Sequence, residues 1–207
     1  MTALPPRASR VDPFGALFAA SARGTLMGNR GGRLHVSSRA LGARRWASRQ
    51  WICCVLDFHG RHRDVWGDGY TELFFLDEPT ALAAGHRPCF ECRRADALAF
   101  AQVFGIGPRA RADAMDRILH AQRLDGRIKR VDRLPVETLP DGAAITLNGE
   151  TALMLKDGRL LRWSPEGYAD AGPRPRHGEA GVLTPPAILD VLRRGYRPLW
   201  HPSAVVS

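Results

Sequence analysis

The sequence predicts an α+β fold, in which a small mixed or antiparallel sheet with short helices is followed by a second α+β half. Short apolar runs typical of strands alternate with amphipathic, helix-like segments along the chain. The helical pattern is interrupted at residues 105–109, Gly-Ile-Gly-Pro-Arg, where glycine and proline favour a linker. We therefore expect a first half over residues 1–105 and a second half over residues 106–207, which can also join in one continuous domain.

The centre of the first half predicts a strand, a helix, a turn and a second helix in close succession. Residues 73–76, Leu-Phe-Phe-Leu, have strand character. Asp77 is a typical N-cap for a short alanine-rich helix over residues 78–84, and Gly85 is a typical stop. An apolar stripe over residues 93–104 predicts the next helix.

Upstream of this region, residues 51–56 predict another strand. A polar tip at residues 58–65 lies between it and residues 70–75, so we expect these two strands to form an antiparallel pair. The glycine-rich residues 24–35 have two interpretations. We favour a tight hairpin or loop beside the sheet, and the alternative is a phosphate cradle made of backbone amides and two arginines.

The turn between the two helices contains a Cys-x-x-Cys pair, Cys89 and Cys92. This is the spacing of a metal knuckle, and thiolate ligands favour zinc as the cofactor. The other two cysteines, Cys53 and Cys54, are adjacent in a predicted strand, where neighbouring side chains point to opposite faces. The alternation of apolar residues favours Cys54 as the inward-facing ligand, while a bulge would let Cys53 join it in a four-cysteine site.

A site with three cysteines needs a fourth ligand, and histidine is the usual alternative to cysteine on zinc. His59, His62 and His86 are the candidates, because they lie close in sequence to the cysteines.

Residues 81–92, Ala-Leu-Ala-Ala-Gly-His-Arg-Pro-Cys-x-x-Cys, preceded by Phe74 and Phe75, resemble the zinc-binding N-terminal domain of the Ada DNA-repair proteins. The resemblance covers about residues 73–97. In that family this turn leads into zinc, two further cysteines complete the site, and one of them accepts a methyl group from a DNA methylphosphotriester. The resemblance implies that Cys89 and Cys92 are ligands and that Arg87 lies on the DNA-facing side. The family spaces its first cysteine pair differently from the adjacent Cys53 and Cys54.

The charge of the chain favours an anionic partner. Lys and Arg number 30 against 21 Asp and Glu, a formal net charge of +9, and arginines cluster in the first half. Nucleic acid is the first expectation for such a protein, and we expect DNA rather than RNA. A knuckle fixed by metal would present its arginines to phosphates. The candidate nucleic-acid-binding residues are Arg30, Arg33, Arg45, Arg87, Arg93 and Arg94.

The second half predicts an amphipathic helix over residues 112–124 and strands over residues 143–147, 151–155 and 159–163. Asp157 and Gly158 indicate a tight hairpin between the last two strands. A C-terminal helix is expected from an N-cap at Thr184 to a stop at Gly195.

Three classes of function remain after this reading. The first is a DNA-binding protein whose zinc fixes a basic surface, with a link to alkylation damage. The second is a zinc-thiolate alkyl acceptor or another zinc enzyme, and the third is a structural zinc protein with an acidic protein partner. We expect a cytoplasmic location without a membrane span, because the N-terminus lacks an apolar signal core and the clustered cysteines suit a reducing compartment.

Overall fold

A computed structural model describes residues 5–60, 64–107 and 110–205 of the chain. Within these ranges the chain forms two six-stranded sheets, two short two-stranded ribbons and four α-helices. The predicted α+β fold is confirmed. No helix in these ranges has both the length and the apolar character needed to cross a bilayer.

The first sheet is mixed. Its strands are β1 (Arg10–Val11), β2 (Leu17–Phe18), β3 (Leu26–Asn29), β6 (Ile52–Val55), β7 (Leu73–Phe75) and β8 (Arg87–Pro88), while β4 (His35–Ser37) and β5 (Ala40–Leu41) form a separate ribbon. The strand order is β2-β1-β7-β3-β6-β8. The pairs β1–β7 and β6–β8 are parallel, and the other pairs are antiparallel.

Strand β3 corrects two predictions. It lies between β6 and β7, so these strands pair with β3 and not with each other. The first part of the glycine-rich segment is therefore a central strand and not a loop beside the sheet. Gly28 makes this central position possible because it has no side chain: a Cβ there would lie 2.1 Å from the Ile52 carbonyl oxygen and 2.9 Å from the Phe75 ring.

The helices α1 (Glu78–Ala83), α2 (Arg94–Val103) and α3 (Ala112–Arg123) follow the first sheet. The predicted ends of α1 are confirmed: the Thr80 N–H donates to Asp77 Oδ1 at 3.0 Å, and Gly85 has φ +87°. The knuckle is thus held directly after a capped helix.

The second sheet is an antiparallel meander of four strands to which two further strands are added at one edge. Its strands are β11 (Asp132–Pro135), β12 (Ala144–Thr146), β13 (Leu153–Lys156), β14 (Arg159–Ser164), β15 (Gly167–Pro173) and β16 (Glu179–Val182), and β9 (Leu124–Asp125) and β10 (Ile128–Lys129) form the second ribbon. The order is β11-β16-β12-β13-β14-β15. The predicted turn at Asp157 and Gly158 is confirmed, with φ +47° and +74°. A 3-10 helix (Val136–Thr138) follows β11.

The C-terminal helix α4 (Pro186–Arg193) ends before Gly195, as predicted, but its expected cap is different. Thr184 makes no capping bond to the helix. Its hydroxyl instead accepts the Ala144 N–H at 2.9 Å, because that amide at the start of β12 is buried and needs an acceptor.

The two halves share a core. One apolar cluster combines Leu82 of α1 and Phe100 of α2 with Leu119 of α3 and Ile188 of α4. The segment after α4 returns to α1, where the Tyr196 hydroxyl donates to Glu78 Oε1 at 2.7 Å and the Leu199 N–H donates to Glu78 Oε2 at 2.9 Å.

Candidate metal centre

Strand β6 presents its two cysteines to opposite sides, as the alternation of a strand requires. Cys53 is fully buried, and its sulfur accepts a hydrogen bond from Arg93 Nη1 at 3.0 Å. Cys54 is partly buried and lies beside Cys89 and Cys92. Cys54 is therefore the cysteine of the pair that meets the knuckle, although Cys53 is the more buried one.

The three-cysteine cluster consists of Cys54, Cys89 and Cys92, whose sulfur atoms all lie within 4.8 Å of one another. Three sulfurs bound to one tetrahedral zinc at about 2.3 Å would lie about 3.8 Å apart. The sulfurs therefore lie close to the spacing that a tetrahedral zinc requires. The protein has a set of three thiols that can hold a metal ion.

Backbone contacts hold the knuckle on the sheet. The Cys89 N–H donates to the Cys53 carbonyl oxygen at 3.0 Å, and the Arg93 N–H donates to the Cys89 carbonyl oxygen at 3.0 Å. The Glu91 N–H points at the Cys89 sulfur, 3.4 Å away. Amide donors directed at a sulfur stabilise its thiolate form, which is the form that binds metal.

The thiols share their protons unequally. A hydrogen bond from Cys54 lowers the pKa of Cys89 to about 5, although burial acts in the opposite direction. The pKa of Cys92 is also lowered, first by Cys54. Hydrogen bonds to Cys89 and Cys92, followed by burial, raise the pKa of Cys54 well above its ordinary value. Cys89 and Cys92 thus favour the thiolate form while Cys54 keeps its proton, and a bound cation would replace that proton.

The predicted role of Cys53 as a ligand is wrong. Among the described residues, the one group of metal-ligating side chains contains Cys54, Cys89 and Cys92 alone. Cys53 lies on the other face of β6, and Arg93 ties its sulfur to the buried Glu78, which accepts from Arg93 Nη2 at 2.8 Å. No bulge turns Cys53 back, since β6 pairs with β3 in regular register.

The histidine candidates do not complete the group within the described residues. His86 is fully buried and packs against Trp51 and Phe75, and its Nε2 accepts from Arg30 Nε at 3.4 Å. Burial lowers the pKa of His86 well below its ordinary value, so the ring is neutral. His59 is exposed beside Phe58, and His62 lies outside the described residues.

All three thiols line a cavity of about 580 Å³, the cysteine cavity. Its walls are mainly apolar and aromatic, with Phe74 and Phe90 among them. Glu72 and Glu91 also line it, so the cavity contains two carboxylates as well as the three thiols. A tetrahedral ion held by three sulfurs keeps a fourth position, and the cavity is where a fourth ligand has room to enter.

Three of the predicted nucleic-acid-binding arginines are buried. Arg87 forms a bidentate pair with Asp116, with both N–H···O distances at 2.8 Å, and Arg93 pairs with Glu78. Arg30 is 2 % exposed. The prediction that these three side chains contact the phosphate backbone of a nucleic acid is therefore wrong for this structure, because their guanidinium groups do not reach the outer surface.

Arg33, Arg45 and Arg94 are exposed, as a nucleic-acid contact requires. Arg94 lines an open cleft of about 1100 Å³, the arginine cleft, together with Arg49, Arg111 and Arg117. The cleft also contains Asp113, which pairs with Arg111 at 3.5 Å and with Arg117 at 3.7 Å.

The arginine cleft adjoins the cysteine cavity. The two share the lining residues Gln50, Phe90 and Ala112. Arg111 and Arg117 are not among the candidates predicted from the sequence, because they belong to the second half, where Arg111 is the N-cap residue of α3 and Arg117 lies within the helix. The signal that was available is the spacing of Arg111 and Arg117, six residues apart at the start of a predicted helix.

No protein-family model, curated protein or solved structure matches the chain. The resemblance of residues 73–97 to the zinc-binding domain of the Ada proteins stays a prediction.

Proposed function

We propose that the protein holds a zinc ion through Cys54, Cys89 and Cys92 and binds nucleic acid along the arginine cleft. The observation that carries the proposal is the position of the three-cysteine cluster, in a cavity that adjoins a cleft with four exposed arginines. A preference for DNA over RNA and a link to alkylation damage follow from the resemblance to the Ada domain.

The chemistry of the donors supports zinc. Three thiolates are soft ligands that select zinc over magnesium or calcium. Their backbone is fixed by hydrogen bonds between β6 and the knuckle, so little ordering is needed when an ion binds.

The composition of the cleft supports nucleic acid as the ligand. Arg111 and Arg117 have side-chain exposures of 88 % and 62 %. They line the cleft together with the apolar side chains of Phe90 and Leu98. A basic groove with an aromatic ring is the surface to which single-stranded nucleic acid binds, with phosphates on the arginines and a base on the ring.

The metal is tested first by stoichiometry. We expect one zinc per chain in the purified protein, and we expect Cys54→Ser and Cys89→Ser to lose it. Cys53→Ser is the matched control, since its sulfur is on the other face of the same strand. A folded protein without zinc, or loss of zinc in Cys53→Ser with retention in Cys54→Ser, would contradict the proposal.

Nucleic-acid binding is tested by the salt dependence of oligonucleotide affinity, with DNA and RNA of one sequence. We expect Arg94→Gln and Arg111→Gln each to weaken binding for every sequence and to reduce the slope of log affinity against log salt by about 1. Arg162→Gln removes the same charge from an exposed position on β14 and should bind as the wild type does. Equal binding by all variants would place the contact elsewhere.

The access of the cluster to the cysteine cavity favours a second candidate, a thiolate that accepts an alkyl group. The sulfur would attack the methyl carbon of a methylphosphotriester, the S–C bond would form as the C–O bond breaks, and the phosphodiester anion would leave. Transfer of labelled methyl from such an oligonucleotide to Cys54, Cys89 or Cys92, followed by peptide mass spectrometry, tests this. Absence of label on all three would remove the candidate.

A further inference from the structure

A separate cavity of about 330 Å³ contains none of the cysteines. It lies between the turn before β2, the end of β3, the segment that leads into β6, the end of α3 and the β9–β10 ribbon. Among its lining residues no side chain is acidic, and five are basic. These basic residues are Arg30, Arg45, Arg123, Arg127 and Lys129. We call this space the cationic cavity.

Two of the arginines stack on one indole ring. The Cζ atoms of Arg30 and Arg123 lie 4.1 Å and 3.8 Å from the centre of the Trp51 ring. Both arginines are at most 2 % exposed, and Trp51 is equally buried. The ring holds two guanidinium groups close together, although their like charges repel each other.

The hydrogen-bond partners of these cations are neutral. Arg30 donates to the carbonyl oxygens of Gly15 and Arg45, at 2.9 Å and 3.3 Å. Arg123 donates to the Gly85 carbonyl oxygen at 2.9 Å, and Lys129 donates to the Ala83 carbonyl oxygen. Within the part of the chain that the structure describes, none of the three basic groups forms an ion pair with a carboxylate.

The arrangement leaves positive charge inside the protein without a carboxylate paired directly to it. Burial, followed by repulsion from Arg30 and Arg123, lowers the pKa of Lys129 to about 7. Burial also lowers the pKa of both arginines to about 9. The charge of Asp12 opposes the shifts at Arg30 and Lys129, and the charge of Asp116 opposes the shift at Arg123. The Arg123 Nε atom is buried and has no hydrogen-bond partner.

The same protein neutralises its other buried arginines. Arg87 has Asp116 and Arg93 has Glu78, each at 2.8 Å. Unpaired buried charges are costly, so a cluster that the fold leaves unpaired indicates a counter-charge that comes from outside. Arginine and lysine in such a cluster are the residues that bind phosphate.

We propose that the cationic cavity binds a phosphate group, as inorganic phosphate or as the phosphate of a small monoester. Its volume has room for a phosphate with a small organic group attached. Trp46, partly buried in the wall, offers a ring against which a planar group would stack. The proposal depends on neither the zinc nor the nucleic acid, because no cysteine and no arginine of the arginine cleft lines this cavity.

The test is isothermal titration calorimetry of the full chain in phosphate-free buffer at constant ionic strength. The probes are inorganic phosphate, adenosine 5′-monophosphate and adenosine. We expect one saturable site for phosphate or for the monophosphate, and none for adenosine. Tighter binding of the monophosphate would identify a monoester as the ligand, and equal binding would identify phosphate itself.

The variants assign the site. We expect Lys129→Met to weaken anion binding at least about tenfold and Arg127→Gln, at an exposed position, about threefold. Arg162→Gln is the control and should bind as the wild type does. Unchanged zinc content and oligonucleotide affinity in Lys129→Met would separate this site from the proposed function.

Two results would overturn the proposal. One is the absence of saturable binding of both anions up to about 10 mM by the wild type, a measurement that does not depend on how any variant folds. The other is binding of equal strength by the wild type, Lys129→Met and Arg127→Gln.

Discussion

The two six-stranded sheets differ in what they bury. The charged side chains of the described chain that are at most 6 % exposed all precede residue 124, in the first sheet and in the segments and helices packed on it. They are Arg30, Glu72, Asp77, Glu78, Arg87, Arg93, Asp116 and Arg123. The second sheet buries Leu, Ile, Val, Ala and Met, and Thr146 is the one buried polar side chain within its described strands.

This difference shows which part of the protein contains side chains whose burial costs free energy. An apolar core such as that of the second sheet stabilises without any pairing requirement. Buried charge stabilises little even when it is paired, and it destabilises strongly when it is not. The buried charges lie around the three-cysteine cluster and the cationic cavity, on the first sheet. We therefore infer that the first sheet carries the functional sites and that the second sheet stabilises the fold.

The largest expected effect comes from breaking a buried ion pair beside the first sheet. Asp116→Ala leaves Arg87 enclosed without its carboxylate, and we expect the free energy of unfolding to fall by about 4 kcal/mol. Urea denaturation measures this. Asp113→Ala, one turn away and 63 % exposed, should cost at most about 0.5 kcal/mol. Equal losses in the two variants would contradict the cost that we assign to buried charge beside the first sheet.

A core truncation in the second sheet should cost slightly less and should leave the sites intact. Ile145→Ala removes a fully buried side chain that packs with Leu153 and Val182, and we expect a loss of about 3 kcal/mol. Zinc content should not change. Leu147→Ala, at a 54 % exposed position two residues further, is the control. Loss of zinc in a folded Ile145→Ala variant would show that the second sheet also shapes the metal centre.

The cationic cavity predicts a dependence of stability on pH. Lys129 is surrounded by Asp12, Arg30 and Arg123, and its pKa falls from 10.5 to about 7 on folding. Between these values the unfolded chain holds a proton that the folded chain has lost, so stability rises with pH from about 7. Between pH 7 and pH 9 we expect the wild type to gain about 1–2 kcal/mol relative to Lys129→Met in phosphate-free buffer.

Denaturation of both proteins at a series of pH values measures this difference. The window ends at pH 9 because Arg30 and Arg123, whose pKa values are lowered to about 9, also contribute above it. Parallel pH profiles for the wild type and Lys129→Met would contradict the prediction.

The smallest effect concerns a buried polar group beside the second sheet. Thr184→Val removes the acceptor of the Ala144 N–H, and we expect a loss of about 1 kcal/mol. Thr184→Ser keeps the hydroxyl and should recover most of it. Hydrogen exchange at Ala144 distinguishes this contact from a helix cap: faster exchange at α4 with Ala144 unchanged would restore the capping role.

The features that the sequence predicted correctly depend on neighbouring residues. Asp77 reaches an amide three residues away, and Asp157 and Gly158 close a turn between adjacent strands. The spacing of Cys89 and Cys92 belongs to the same class. Such signals need no knowledge of the rest of the chain.

The features that the sequence did not predict depend on distant partners. The strand at Gly28 pairs with β6 and β7 from elsewhere in the chain, and the Ile52 carbonyl and the Phe75 ring approach it closely. Arg87 is buried because Asp116, 29 residues away, neutralises it. The alternation favours Cys54 as the inward-facing cysteine, but Cys53 is the more buried one, because it packs against Arg93, 40 residues away. Periodicity contains no information on such contacts.

The return of the C-terminal segment to α1 has a consequence for the order of folding. The hydrogen bond between Tyr196 and Glu78 can form only after Tyr196 has been synthesised, 118 residues after Glu78. The hairpins of the second sheet join sequence neighbours, and local contacts of this kind form fast. The knuckle is therefore translated early and enclosed late, so its three thiols stay accessible to a metal ion while the surrounding helices are not yet packed.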